Sequence, residues 1–88
     1  MARAIRFTPA AWADYIYWQG HGKKTLKRIN ILIEAAARQS FGGIGKPEPL
    51  RGNLSGYWSR RIDDAHRLVY AAGDADFDVI ACRGHYDD

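Results

Sequence analysis

YWSRRIDDAHRLVYAAGDADFDVIACR, residues 57–83, carries three runs of β-favouring residues separated by two short polar breaks. The runs cover 57–62, 66–72 and 77–83, each about the length of an ordinary strand. The breaks read Asp-Asp-Ala at 63–65 and Gly-Asp-Ala-Asp at 73–76, residue types that favour turns. Connections this short let a chain return only antiparallel, so the stretch predicts two successive hairpins, an antiparallel meander.

Upstream, residues 42–61 hold five glycines, two prolines, Lys46, Arg51, Arg60, Arg61 and a single carboxylate, Glu48. Glycine frees the backbone and proline removes a donor and restricts its predecessor, so no helix is expected there. An irregular run this long in a small domain is either functional or disordered. Leu50, Leu54, Tyr57 and Trp58 argue for order, because such groups gain free energy by burial. The run is read as an ordered, basic, anion-binding loop that feeds a strand. Pro47 and Pro49 flank Glu48 and restrict the backbone that carries its carboxylate.

The first half of the chain is helical with a short strand in front. Residues 3–7 alternate basic and apolar side chains and suit a strand. Thr8 and Pro9 form an N-cap followed by proline at the first helical position. Trp12, Tyr15, Ile16 and Gln19 share a stripe, which predicts a helix over 9–19 with its aromatics in the core, broken by Gly20, His21 and Gly22. A second helix over 23–39 places Leu26, Ile29, Leu32, Ile33 and Ala36 on one face. Lys23, Lys24 and Lys27 stand in its first turns, where the helix dipole disfavours cations, either for a contact or merely tolerated. The order β-α-α-β-β-β predicts an α+β fold, with two N-terminal helices packed on a small, mostly antiparallel twisted sheet. The 88 residues leave room for one domain, 1–88, with one modest core.

Composition narrows the function classes. The single cysteine, Cys82, excludes an internal disulfide and a Cys-based zinc site and fits a reducing, cytoplasmic setting. No apolar run approaches the roughly 20 residues needed to span a bilayer, and no secretory signal is expected from the start MARAIRF. Residues 1–67 hold 12 Lys and Arg against 5 Asp and Glu, and residues 68–88 hold 1 against 5, so the net charge of +3 divides into +7 and −4. A polyanionic partner follows, with a solvated basic face as the alternative.

If 63–65 is a three-residue loop, Arg61 lies directly opposite Arg67 on one sheet face. Opposed like charges destabilise a strand pair unless an anion sits between them or the side chains splay or pair with Asp63, Asp64 or Glu48. The chain ends near His85 and Tyr86, an imidazole that titrates near neutral pH and a phenol. A carboxylate, several arginines, a histidine and a tyrosine, with no metal-ligand cluster, form the inventory for metal-free RNA cleavage. A base takes the proton of a ribose 2′-hydroxyl, arginines stabilise charge on the phosphate, and an acid protonates the departing 5′-oxygen. DNA lacks the 2′-hydroxyl, which confines such a site to RNA.

The motifs Tyr15-Ile-Tyr-Trp-Gln19, Gly45-Lys-Pro-Glu-Pro-Leu50, Asn53-Leu-Ser-Gly-Tyr-Trp-Ser-Arg-Arg-Ile62, His66-Arg-Leu-Val-Tyr70 and Ala81-Cys-Arg83, followed by His85-Tyr86, resemble the YoeB toxins of the RelE/ParE-like superfamily. The resemblance spans residues 5–86. It implies an mRNA interferase that cleaves message in the ribosomal A site, needs no cofactor or metal, and is held inactive by a YefM-type antitoxin. It places a general base at Glu48, a general acid at His85, a phosphate-stabilising arginine at Arg67, and support at Arg61 and Tyr86. Lys46, Arg51 and Arg60 join Arg61 as RNA- and phosphate-binding candidates. Arg51 stands where the family usually has lysine, and Gly84, Asp87 and Asp88 are further departures. Carboxylates at 87 and 88 favour the histidine cation if they lie beside it and repel RNA if they lie on its path. The resemblance also implies a homodimer that meets promoter DNA only through the antitoxin complex, and no membrane partner. Two other readings stand beside it: a gyrase-inhibiting toxin of the same fold, and a basic RNA-binding module without catalysis.

Overall fold

Thr8 sets the start of the first helix as its position before Pro9 requires. Its hydroxyl accepts a hydrogen bond from the Ala11 N–H at 3.1 Å, and Pro9 occupies the first turn. The computed structural model of the chain describes residues 3–84. Strand β1 (Ala4–Phe7) leads into helices α1 (Pro9–His21) and α2 (Lys23–Arg38). A two-residue strand β2 (Glu48–Pro49) and a turn of 3-10 helix (Gly52–Leu54) follow, then strands β3 (Trp58–Arg61), β4 (Arg67–Ala72) and β5 (Asp76–Ala81). The sheet runs in the order β1-β5-β4-β3-β2, with β1 parallel to β5 and every other pairing antiparallel. The expected α+β architecture and the meander are therefore present, with β2 as an additional edge strand inside the expected loop. Among the described residues no helix is long and apolar enough to cross a membrane.

Both helices pack on one face of the sheet. Ala11, Trp18, Ile29, Leu32 and Ala36 meet Leu68, Tyr70, Phe77, Val79 and Cys82 in the main core. Every predicted apolar residue of α2 faces this core, with Leu26 only partly buried. The stripe predicted for α1 is rotated: Trp12 is 51 % and Ile16 46 % exposed, while Ala11 and Trp18 are buried. Aromatic and apolar side chains surround this helix on more than one side, so spacing alone permits two stripes. Packing against β5 selects Ala11, Tyr15 and Trp18, and Trp18 also donates its indole N–H to the Cys82 carbonyl at 2.8 Å. The helix continues through Gly20 and His21, where nothing crowds the exposed turn, and His21 stacks on Tyr17 at 4.1 Å between ring centres.

The third predicted strand ends early. Val69 pairs with Ala81 but Tyr70 pairs with Val79, so Ile80 is an extra residue and β5 bulges there. The bulge turns Ala81 away from the helices, where it packs with Leu50 and Val69 in a second, small apolar cluster.

Arg60 organises the segment between α2 and β2. It is fully buried, on the helix side of β3. Its Nη1 donates to the Ile44 carbonyl at 2.9 Å, its Nη2 to the carbonyls of Gln39 at 2.5 Å and Gly42 at 2.7 Å, and its Nε to the Tyr70 hydroxyl at 3.1 Å. Tyr70 in turn donates to the Ser40 carbonyl at 2.6 Å, and burial raises its pKa while Arg60 pulls the other way. Gly45 completes the wrap: at φ +86° a Cβ there would lie 2.8 Å from Leu32 Cδ2 and 3.1 Å from Arg60 Cβ. The phosphate-binding role expected of Arg60 is corrected accordingly. Its nitrogens bond to backbone carbonyls and the Tyr70 hydroxyl inside the fold, out of reach of a ligand.

Two outcomes follow. Arg60→Met strips three partly buried carbonyls and the buried Tyr70 hydroxyl of their donor, and a buried group left unmet costs about 1–3 kcal/mol, so denaturant unfolding should show a loss of about 2 kcal/mol or more. Arg60→Lys should restore little, because one ammonium cannot reproduce a planar fork. Burial, reinforced by Asp14, pushes the Cys82 thiol from its usual 9.0 up to about 12. The unfolded chain thus sheds this proton first, and stability should fall as pH rises from about 9 toward 12. In native protein at pH 8, Cys82 should resist alkylation at the intrinsic thiol rate, and full reactivity without denaturant would refute its burial.

Candidate active site

The helix-free face of the sheet gathers most of the chemistry-bearing residues. Directly paired residues share a face, so Glu48, Ser59 and Val69 form one row across β2, β3 and β4. Arg61 and Arg67 form the row two residues away, in the predicted opposition. The neighbouring residues Arg60 and Leu68 point to the helices, which separates the buried Arg60 from the exposed Arg61 by a single step along the strand. Leu50, Val69 and Ala81 lie on the open face as its small apolar floor.

Register places Glu48 within reach of Arg67. Arg67 Nη1 donates to Glu48 Oε1 at 2.8 Å, with the arginine side chain 13 % and the glutamate side chain 57 % exposed. The opposed arginines are thus relieved by the carboxylate, one of the alternatives open in the sequence, while Arg61 stays exposed to solvent. Arg67 Nε is buried and makes no hydrogen bond among the described residues. Arg67 therefore holds the base candidate with one nitrogen and keeps an unmatched donor beside it.

Lys46 and Arg51 bracket β2, both exposed, Lys46 with φ at +52°. Neither bonds to Glu48 or Arg67, so both are peripheral to the pair. Arg83 is exposed as well, its guanidinium 3.6 Å from the centre of the Tyr17 ring. His85 and Tyr86, with Asp87 and Asp88, lie outside the described residues. The chain reaches that end close to Arg67: the Arg67 N–H donates to the Gly84 carbonyl at 2.9 Å.

One participant escaped the sequence reading. His66, expected only as the first residue of a strand, accepts the Gly84 N–H at its Nδ1 at 2.9 Å, and its ring meets the Trp18 ring edge-to-face at 4.8 Å. A histidine beside a candidate arginine is the signal that was present; its partner lies 18 residues away and is set by sheet register.

A model of the YoeB-like toxins of bacterial type II toxin–antitoxin systems matches residues 7–86. The toxin YoeB of a Synechocystis strain is 61 % identical over 82 residues, covering 93 % of this chain and 95 % of that protein. The toxin YoeB of Escherichia coli K12 is 55 % identical over 76 residues, covering 86 % and 90 %. Among solved structures, a YoeB/ParE toxin from Agrobacterium tumefaciens superposes with a TM-score of 0.90 at 45 % identity, covering 94 % of this chain and 99 % of that one. YoeB in a heterotetrameric YoeB–YefM complex from Staphylococcus aureus superposes at 0.87, also at 45 % identity, covering 98 % and 100 %. A YafQ mutant from E. coli, at 18 % identity and a TM-score of 0.80, shares the fold alone, over 94 % of this chain and 93 % of that one. By family match, identity and fold, the chain belongs to the YoeB-like toxins of bacterial type II toxin–antitoxin systems.

Proposed function

We propose that the chain is a ribosome-dependent mRNA interferase, an endoribonuclease that cuts message in the ribosomal A site and so stops translation in the cytoplasm. The observation that carries this reading is the Glu48–Arg67 pair on the open sheet face, 2.8 Å apart, with Arg67 opposite an exposed Arg61. Arg67 engages one oxygen of the carboxylate, which leaves the other to accept a proton. In this reading Glu48 takes the proton of the ribose 2′-hydroxyl as its oxygen attacks the adjacent phosphorus. Arg67 and Arg61 stabilise the charge that builds on the phosphate oxygens. The bond to the 5′-oxygen breaks, His85 supplies the proton that this leaving group needs, and Tyr86 supports the phosphate. The products are a 2′,3′-cyclic phosphate and a 5′-hydroxyl end, and neither oxidant nor cofactor is consumed. Lys46 and Arg51 supply exposed positive charge for the RNA backbone.

The partners proposed are those of the relatives. A YefM-type antitoxin holds the toxin inactive, as the S. aureus YoeB–YefM complex supports, and the toxin forms a homodimer, as a S. aureus YoeB dimer supports. Promoter DNA is met only through the antitoxin complex. The whole chain, 1–88, acts as one toxin domain.

Primer extension on ribosome-bound message tests the reading. Wild-type protein should create new 5′ ends within the A-site codon. Arg67→Ala and Glu48→Gln should each lower the single-turnover rate about 100-fold or more, with cooperative unfolding retained. His85→Ala should do the same. Undiminished cleavage by a Glu48→Ala, His85→Ala double variant sinks these roles, and inhibition of gyrase with message intact sinks the nuclease.

A further inference from the structure

We propose that His66 is a positioning residue for the catalytic C-terminal end: its imidazole Nδ1, acting as an acceptor, fixes Gly84 and thereby the backbone that enters His85. The proposal rests on the reading of His85 as the general acid.

Residues 82–84 have left the sheet ladder, yet their backbone is held on both sides. Asp14 of α1 accepts the Cys82 N–H at 3.1 Å, and Trp18 of α1 donates to the Cys82 carbonyl at 2.8 Å. At Gly84 the clasp passes to the start of β4. The Arg67 N–H donates to its carbonyl, and His66 Nδ1 accepts its N–H, both at 2.9 Å. Two consecutive residues therefore grip both polar groups of one glycine. The Arg67 contact is made by the backbone and comes with any residue at that position except proline. The His66 contact depends on the side chain.

Gly84 gives that contact its importance. With φ at +95°, it occupies a region that side-chain-bearing residues avoid, and a glycine places little restriction of its own on the peptide that follows. The direction of the chain into position 85 must be imposed from outside, and an acid must be held to within a fraction of an ångström of its leaving group to act efficiently. An amide N–H can only donate, so Nδ1 carries no proton in this bond and the neutral ring bears its proton on Nε2. The imidazole meets Trp18 edge-to-face, and Trp18 is itself fixed by Cys82, so acceptor and acceptor-holder belong to one connected set. The side chains of His66 and Arg67 thus divide the labour, one steering the acid's backbone and the other facing the phosphate.

Two variants separate positioning from packing. His66→Phe keeps an aromatic ring against Trp18 and removes the acceptor; His66→Asn places Oδ1 close to where Nδ1 stood. In single-turnover cleavage of ribosome-bound message by the full chain, His66→Phe should lose about tenfold in rate, the scale of one hydrogen bond, with ribosome affinity unchanged. His66→Asn should recover most of that loss. The Gly84 amide should exchange quickly with solvent in His66→Phe and slowly in wild type and His66→Asn. Wild-type rates in His66→Phe, or an equal loss in both variants, overturn the proposal. Should His66→Phe not fold, His66→Ala supplies the acceptor-free comparison with His66→Asn. Absence of cleavage by the wild type overturns the nuclease reading rather than the clasp, which the Gly84 exchange rates test on their own.

Discussion

A buried guanidinium with no carboxylate partner among the described residues holds this fold in register. Arg60 sits in the core and is compensated by three backbone carbonyls and a phenol. A charge taken out of water is tolerated only when its hydrogen bonds are replaced, and here the replacement comes from the segment that must be ordered to build the site. The carbonyls of Gln39, Gly42 and Ile44 converge on one cation, so the run leaving α2 cannot stay loose. The Arg61 N–H then donates to the Gly45 carbonyl at 2.7 Å, and the chain arrives at β3 aligned to pair. The short strand β2 is the consequence, and with it the position of Glu48.

Sheet parity converts that anchor into chemistry. Arg60 and Arg61 are adjacent in sequence and opposite in environment, as are His66 and Arg67. One member of each pair serves the helix side, where Arg60 fastens a loop and His66 meets Trp18; the other faces the open side with Glu48. A slip of one residue in the β3–β4 register would exchange these roles and bury the wrong arginine. At the far edge, Arg6 lies opposite Asp78 and bonds to it at 2.7 Å, which lowers the Asp78 carboxyl below its usual range and helps set the register of the one parallel pairing.

What the sequence made legible was local. Thr8 with Pro9, the apolar face of α2 and the two hairpins are each written in residues within one or two turns of one another, and each is present. The opposition of Arg61 and Arg67 followed from a three-residue turn, which is also local. The misreadings share a different origin. Which stripe of α1 is buried depends on β5, more than 50 positions away. Whether an arginine in a basic run serves RNA or the core depends on what a glycine-rich segment wraps around. The bulge at Ile80, which turns Ala81 to the site's floor, interrupts an alternation that reads as continuous. Charge density marked the right half of the chain and could not assign faces to its members.

The ion pair at the centre of the site does not hold the site together. Its carboxylate is more than half exposed and screened by solvent, so the pair holds the fold less firmly than the network of hydrogen bonds around the buried Arg60. Glu48 is positioned instead by its flanking prolines, by the pairing of β2 with β3, and at one remove by the carbonyls gathered on Arg60. In the proposed reaction, its bond to Arg67 can therefore be exchanged for a phosphate while β2 keeps its place. Rigidity and the proposed reactivity fall to different arginines: Arg60 is fully buried and bonded to the fold, while Arg67, largely buried on the open face, keeps an Nε donor unmatched among the described residues.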